Sequence, residues 1–182
     1  MIRINITAEL KTKLDILTSE YDTEIGGYLV GETRDGEIYL SDILIPSQQV
    51  SSVHVDISPK DQIDLLKRYK DKCKHVIGHF HSHHNMGAFW SGQDESNMNN
   101  IMQYKKFFVF IVGSNGNYKI RLSIREPIAY DFEDITLYTR TVSIDIMRNL
   151  VKKIFGNKNN ISPENDLVVF TPVNEENNHD TK

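Results

Sequence analysis

Four histidines, two serines and an aspartate fall between positions 79 and 94: His79-Phe80-His81-Ser82-His83-His84, then Asn85 to Trp90, then Ser91-Gly92-Gln93-Asp94. The stretch just upstream, Lys74-His75-Val76-Ile77-Gly78, reads as a strand. In extended chain, residues two apart face the same side, so His81 and His83 can address one point. Asp94 arrives after a short loop. Two imidazoles and one carboxylate suit a divalent ion of borderline hardness, most simply zinc with one position left open. Ser91-x-x-Asp94 is also a helix-start signature, a capping residue followed three positions later by an acid. A helix starting there places Asp94 in its first turn, where the helix dipole favours negative charge. Two roles fit Ser91: a cap alone, or a cap that also donates a hydrogen bond in catalysis.

The set His81-Ser82-His83, seven residues (84–90), Ser91, two residues, Asp94 resembles the metal motif of the JAMM (JAB/MPN) metalloproteases. That family also carries an upstream Glu-x-x-Gly-x-Leu-x-Gly segment, which Glu24-Ile25-Gly26-Gly27-Tyr28-Leu29-Val30-Gly31 fits. The resemblance spans roughly Ile2 to Ile128. It implies a deubiquitinase-like zinc metalloprotease with an α/β fold of the MPN (cytidine-deaminase-like) type, a mixed central sheet flanked by helices. It further implies His81, His83 and Asp94 as zinc ligands, Glu24 as the base for a water on the metal, and Ser91 as the donor to the oxyanion. Glu32, past the same strand, lacks the glycine and leucine spacing. His79 has the wrong spacing to Ser91 and Asp94, and is expected, like His84, to support the ligands or pack. The family has proline after the second histidine and often before the serine. Here those places hold His84 and Trp90, which bears on loop shape and substrate rather than on the ligands.

Several elements must position these residues. Ile2, Ile4 and Ile6 alternate with polar residues as a first strand, and Thr7 caps a helix with Leu10, Leu14 and Leu17 at helical spacing. Ile25 to Val30 suits a strand, and its paired glycines suggest a close backbone approach. Asp35-Gly36 turns the chain into a second strand, Glu37 to Ile45. Gln48 to Ile57 reads as one more alternating strand, with His54 an ordinary sheet histidine. Ser58-Pro59 starts a helix whose buried side is expected to be Ile63, Leu65, Leu66 and Tyr69. Lys67, Arg68, Lys70, Lys72 and Lys74 form a basic cluster, a solvated face or a surface for an acidic partner. Phe89 and Trp90 either bury against the body or wall a peptide cleft. A helix from Ser91 to about Tyr104 precedes a buried central strand, Phe107 to Val112, and a hairpin carrying Tyr118, Ile120, Leu122 and Ile124.

The expected organisation is a metalloprotease domain over 1–128, a helical extension over 129–156 and a flexible tail over 157–182. In the extension, Tyr138 to Phe155 reads as a helix stopped by Gly156. In the tail, Leu167-Val168-Val169-Phe170 can add a strand to an exposed edge, its own or a partner's.

With 182 residues and 39% hydrophobic content, the chain can bury one domain's core. A net charge of −4 argues against a nucleic-acid or membrane-surface binder. The single cysteine, Cys73, and a start without a secretory apolar region point to a cytoplasmic protein. It also excludes a deaminase with a Pro-Cys-x-x-Cys site. From the resemblance, the expected substrate is the amide next to the C-terminal tail of a ubiquitin-like or sulfur-carrier protein. Alternatives are a JAB-type peptidase for cell-wall or other peptides and a non-catalytic MPN scaffold, the latter at odds with a full set of Glu24, His81, His83, Ser91 and Asp94. Oligomeric state is left open.

Overall fold

The computed structural model describes residues 2–50, 55–133, 135–142 and 168–172. In chain order the elements are β1 (Ile4–Thr7), α1 (Ala8–Ser19), β2 (Gly26–Arg34), β3 (Glu37–Leu44), β4 (Gln49–Val50), β5 (Val55–Asp56), α2 (Pro59–Arg68), α3 (Lys70–Cys73), β6 (Val76–Ser82), α4 (Gly92–Met102), β7 (Phe107–Ser114), β8 (Asn117–Ile124), β9 (Tyr130–Phe132), β10 (Leu137–Val142) and β11 (Val168–Pro172). Among the described residues, nine strands form one mixed sheet in the order β11-β10-β1-β3-β2-β6-β7-β8-β9. β2 and β6, the strands that flank Glu24 and carry the histidines, are antiparallel neighbours at its middle, with Gly26 opposite His81. This is the mixed α/β architecture the sequence predicts.

Period-two alternation sorts the central strands onto two faces. On one face Phe80, Val109, Ile111, Ile120 and Leu122 pack with Ile4, Ile6 and the α1 leucines Leu10, Leu14 and Leu17. On the other, Phe108 and Phe110 meet Met98 and Met102 of α4. β7 is apolar on both sides because helices cover both. The Thr7 hydroxyl accepts from the Leu10 amide and caps α1 as predicted. The β2 glycines also have a reason. A Cβ on Gly27 would lie 2.8 Å from the Ile43 side chain, and one on Gly31 2.2 Å from the Tyr39 carbonyl oxygen. The second close approach coincides with a bulge between Val30 and Gly31.

Three expectations are corrected. Gln48 to Ile57 is not one strand: β4 and β5 are two-residue strands paired with each other, and His54 lies outside the described residues. α2 starts at its Ser58 cap with Pro59 in the first turn, as predicted. Its apolar side is not buried as expected. Leu65 is 7% exposed, but Ile63 and Leu66 are half exposed, at 50% and 53%, and Tyr69 is exposed too. α2 faces α4 across a groove, and among the described residues Leu65 is the α2 side chain buried with Val30 and Leu44 of the sheet. Finally, Tyr138–Val142 is strand rather than helix: β10 pairs parallel with β1. β11 lies antiparallel on β10, so Val168 to Phe170 extend the chain's own sheet. The rest of the expected helix, 143–155, and Gly156 lie outside the described residues. No described helix is long and apolar enough to cross a membrane.

Candidate metal centre

β6 ends at Ser82, and the ladder continues one residue further, with the His83 amide donating to the Gly113 carbonyl at 2.8 Å. Extended backbone therefore runs through both histidines, and their rings turn to the same side. His81 Nε2 and His83 Nε2 are 2.8 Å apart. Asp94 closes the group, with Oδ1 3.0 Å from His81 Nε2 and Oδ2 3.4 Å from His83 Nε2. One ion with bonds of about 2.0–2.2 Å can touch all three. These three residues form the described cluster able to hold a metal.

Asp94 is placed by the start of α4. The Ser91 hydroxyl accepts from the Asp94 amide at 3.2 Å, and the Asp94 carboxylate accepts from the Ser91 amide at 2.7 Å, a reciprocal capping box. One carboxylate thus caps the helix and faces both imidazoles. Burial alone would raise its pKa, but the His81, His83 and Ser91 contacts outweigh that and hold it far below the usual carboxylate range. At His83, burial works against a charged ring, yet Asp94, Glu24 and the Gly87 backbone outweigh it and raise the pKa. The same negative surroundings attract a metal cation, which competes with that proton for the ring nitrogen.

Glu24 precedes β2 and is 6% exposed. Its charge is one of the influences that raise the His83 pKa.

A model of the prokaryotic homologs of the JAB domain matches residues 9–125, well over half of the chain. The chain belongs to the prokaryotic JAB family. No curated protein matches it. The fold is similar to the solution structure of protein DSY2949 from Desulfitobacterium hafniense, at 18% identity and a TM-score of 0.54, covering 75% of this chain and 92% of that one. At that identity the likeness speaks for the fold alone.

The metal-site loop of this JAB domain departs from the family pattern for a visible reason. His84 has φ 37°, a left-handed conformation closed to proline. Its Nδ1 lies 3.1 Å from the Tyr21 carbonyl, Asn85 Nδ2 lies 2.7 Å from its Nε2, and its own carbonyl accepts from the Ser114 hydroxyl. His84 therefore pins the loop and stands outside the His81–His83–Asp94 cluster. His79 is apart from them as well, packing edge-on to Tyr28 at 5.8 Å between ring centres. Burial, with the neighbouring His81, pushes its pKa down to about 3, against a small opposing pull from Asp94. Phe89 is 42% exposed and stands edge-on to His83 at 4.7 Å, a wall of the site rather than a core residue. Of the basic cluster, Lys67, Lys72 and Lys74 pair with Asp64, Asp42 and Asp71.

Two residues given no role from the sequence hold the glutamate's strand. The fully buried Ser82 accepts from the Ile25 amide through its hydroxyl at 2.9 Å and donates from its own amide to the Ile25 carbonyl at 2.9 Å. Gln48 brackets Gly26, accepting from its amide at 2.8 Å and donating to its carbonyl at 3.1 Å. β3 has ended by then, so this carboxamide replaces the missing strand partner. Beside the site a groove of about 590 Å³ runs between α2 and α4, floored by Tyr28, Val76 and Phe108 and edged by Gln93, Asn97 and Asn100. His79 lines it too, linking groove and metal centre.

Proposed function

We propose that this JAB domain is a zinc-dependent peptidase that hydrolyses the amide next to the C-terminal tail of a ubiquitin-like or sulfur-carrier protein. The observation that carries the reading is the convergence of His81, His83 and Asp94 on one point, with the charge of buried Glu24 acting on His83. Two imidazoles and a carboxylate, with room for a fourth ligand, are the donor chemistry of catalytic zinc. Zinc held there supplies a Lewis acid for a carbonyl and lowers the pKa of water from ~15.7 toward ~7. Glu24 takes the proton of the attacking water on a carboxylate oxygen and returns it to the leaving amine. The Ser91 oxygen already accepts from the Asp94 amide, which leaves its O–H to donate to the developing oxyanion. Loss of one such donor typically costs ~2.7–4 kcal/mol of barrier lowering.

The groove supports a tail-like substrate. An extended chain presents its peptide groups sideways, where Gln93, Asn97 and Asn100 can bond them, and its alternate side chains downward to the apolar floor. A protein substrate also agrees with a net charge of −4, and a cytoplasmic setting with a single cysteine. The test is a panel of ubiquitin-like fusions, each with a C-terminal extension, incubated with the zinc-loaded chain and read by mass spectrometry. Cleavage at the end of the tail, abolished by a chelator and restored by zinc, is expected. Cleavage that survives chelation removes the zinc assignment, and cleavage of free peptides alone removes the ubiquitin-like substrate.

A further inference from the structure

We propose that Arg121 is a positioning residue for the metal centre, gripping from β8 the two residues that bracket the Ser91–Asp94 capping box. The inference rests on Asp94 being a metal ligand. Arg121 stands opposite Phe110 in the β7–β8 pair, under α4, and is only 8% exposed. Its Nη1 and Nη2 donate to the two carboxylate oxygens of Glu95, each at 2.7 Å, a fork-to-fork pair. Nη2 also donates to Glu133, and Nη1 lies 3.5 Å from the Met98 sulfur. The guanidinium carbon is 5.1 Å from the centre of the Trp90 ring, within cation–π range. Nε is buried without a partner among the described residues.

Trp90 immediately precedes Ser91, and Glu95 immediately follows Asp94. One guanidinium thus holds the chain where it comes into the capping box and where it leaves. The box fixes Ser91 and Asp94 to each other, but it does not fix the helix start to the sheet that carries His81 and His83. Arg121 supplies that second constraint, since β8 pairs with β7 and β7 with β6. Stability alone is a poor reason for this arrangement. Glu95 is half exposed, and an ion pair open to solvent on one side contributes little to stability. What the planar fork adds is direction: it defines the position of Glu95, and through it the first turn of α4, in a way a lysine does not.

The experiment uses the full chain with Arg121→Gln, Arg121→Lys and Glu95→Gln, and Asp15→Asn as control. Asp15 accepts from the Tyr118 hydroxyl of the same strand at 2.6 Å and touches nothing on α4, so the control loosens β8 from its other side. Two quantities are read: zinc affinity by competition, and amide exchange of Ser91 and Asp94 in metal-free protein, relative to Ile4 and Ile6. Arg121→Gln is expected to weaken zinc binding by about 10–100-fold, as changes behind a metal ligand typically do. It should also speed exchange at Ser91 and Asp94 selectively. Glu95→Gln should shift both in the same direction by less, and Arg121→Lys should recover only part of the loss. Wild-type affinity and exchange in Arg121→Gln and Glu95→Gln overturn the proposal while leaving the metal centre standing. An equal loss in Asp15→Asn at matched stability overturns it as well, because the effect is then general loosening. If the wild type binds no metal, the ligand reading fails by itself and the exchange comparison still decides whether Arg121 positions this turn. If Arg121→Gln does not fold, Glu95→Gln decides, since Glu95 is half exposed.

Discussion

Asp94 and Glu24 are both buried carboxylates whose charges act on His83, and the chain braces their surroundings differently. Asp94 is held by its own oxygens, against the Ser91 amide and two imidazoles. The strand of Glu24 is held through the backbone, by Ser82 on Ile25 and Gln48 on Gly26. The difference matches two kinds of work. A ligand must keep one geometry and one charge, so fixed contacts to its oxygens serve it. In the role proposed for Glu24, a base changes its proton count during each turnover, so backbone contacts, which do not depend on that charge, suit the strand that follows it. The two arms should therefore fail differently.

The largest effect belongs to the ligand arm. Asp94→Ala removes a donor and opens the capping box at once, and His81→Ala removes a donor alone. Metal content, measured by elemental analysis, should fall from close to one zinc per chain to none in both. Full retention in Asp94→Ala would take that carboxylate out of the ligand set and dissolve the contrast. Next comes the base arm. Glu24→Gln keeps the shape of the side chain and removes its basicity. Zinc content should stay at the wild-type value while turnover drops by about 10²–10⁴-fold, the usual worth of general acid–base catalysis. A variant that lost its zinc would make Glu24 a ligand rather than a base.

How much of this is legible in the sequence depends on how local each interaction is. The pair His81 and His83 is set by strand period, and Ser91 with Asp94 by a capping box only three residues long. Both are readable as spacing. Leu10, Leu14 and Leu17 are likewise readable, because α1 packs flat on one sheet face. The same reasoning misplaces Ile63 and Leu66, since helical spacing reveals an apolar side but not whether a second element covers it. Here a groove lies beside α2 instead. Tyr138 to Val142 is misread because its pairing with β1 joins residues over a hundred positions apart, beyond any local periodicity. The supports of the site are hidden for the same reason. Ser82 reaches back 57 residues to Ile25, and Arg121 reaches 26 residues to Glu95. A serine between two histidines and an arginine within a strand carry no mark of these contacts.

The smallest effects sharpen the contrast most, because they alter the backbone support beside Glu24 and leave its own side chain in place. Ser82→Ala removes the acceptor of a buried amide, that of Ile25, and leaves it without a partner, which costs about 1–3 kcal/mol. Gln48→Ala also removes an acceptor, from Gly26, but Gln48 is only half buried and water can take over, so about 0.5–1.5 kcal/mol is expected. Denaturant titration of the metal-free chain checks both. If the backbone clamps position Glu24, both variants should keep full zinc content and lose kcat, Ser82→Ala more than Gln48→Ala, with KM little changed. A loss of zinc in parallel with kcat would mean instead that the clamps hold β6, and with it the histidines. Because Ser82 lies between His81 and His83 whereas Gln48 bonds Gly26 and Pro46, neither of them on β6, that alternative predicts zinc loss in Ser82→Ala but not in Gln48→Ala. The pair of variants thus separates movement of the base from movement of the ligands.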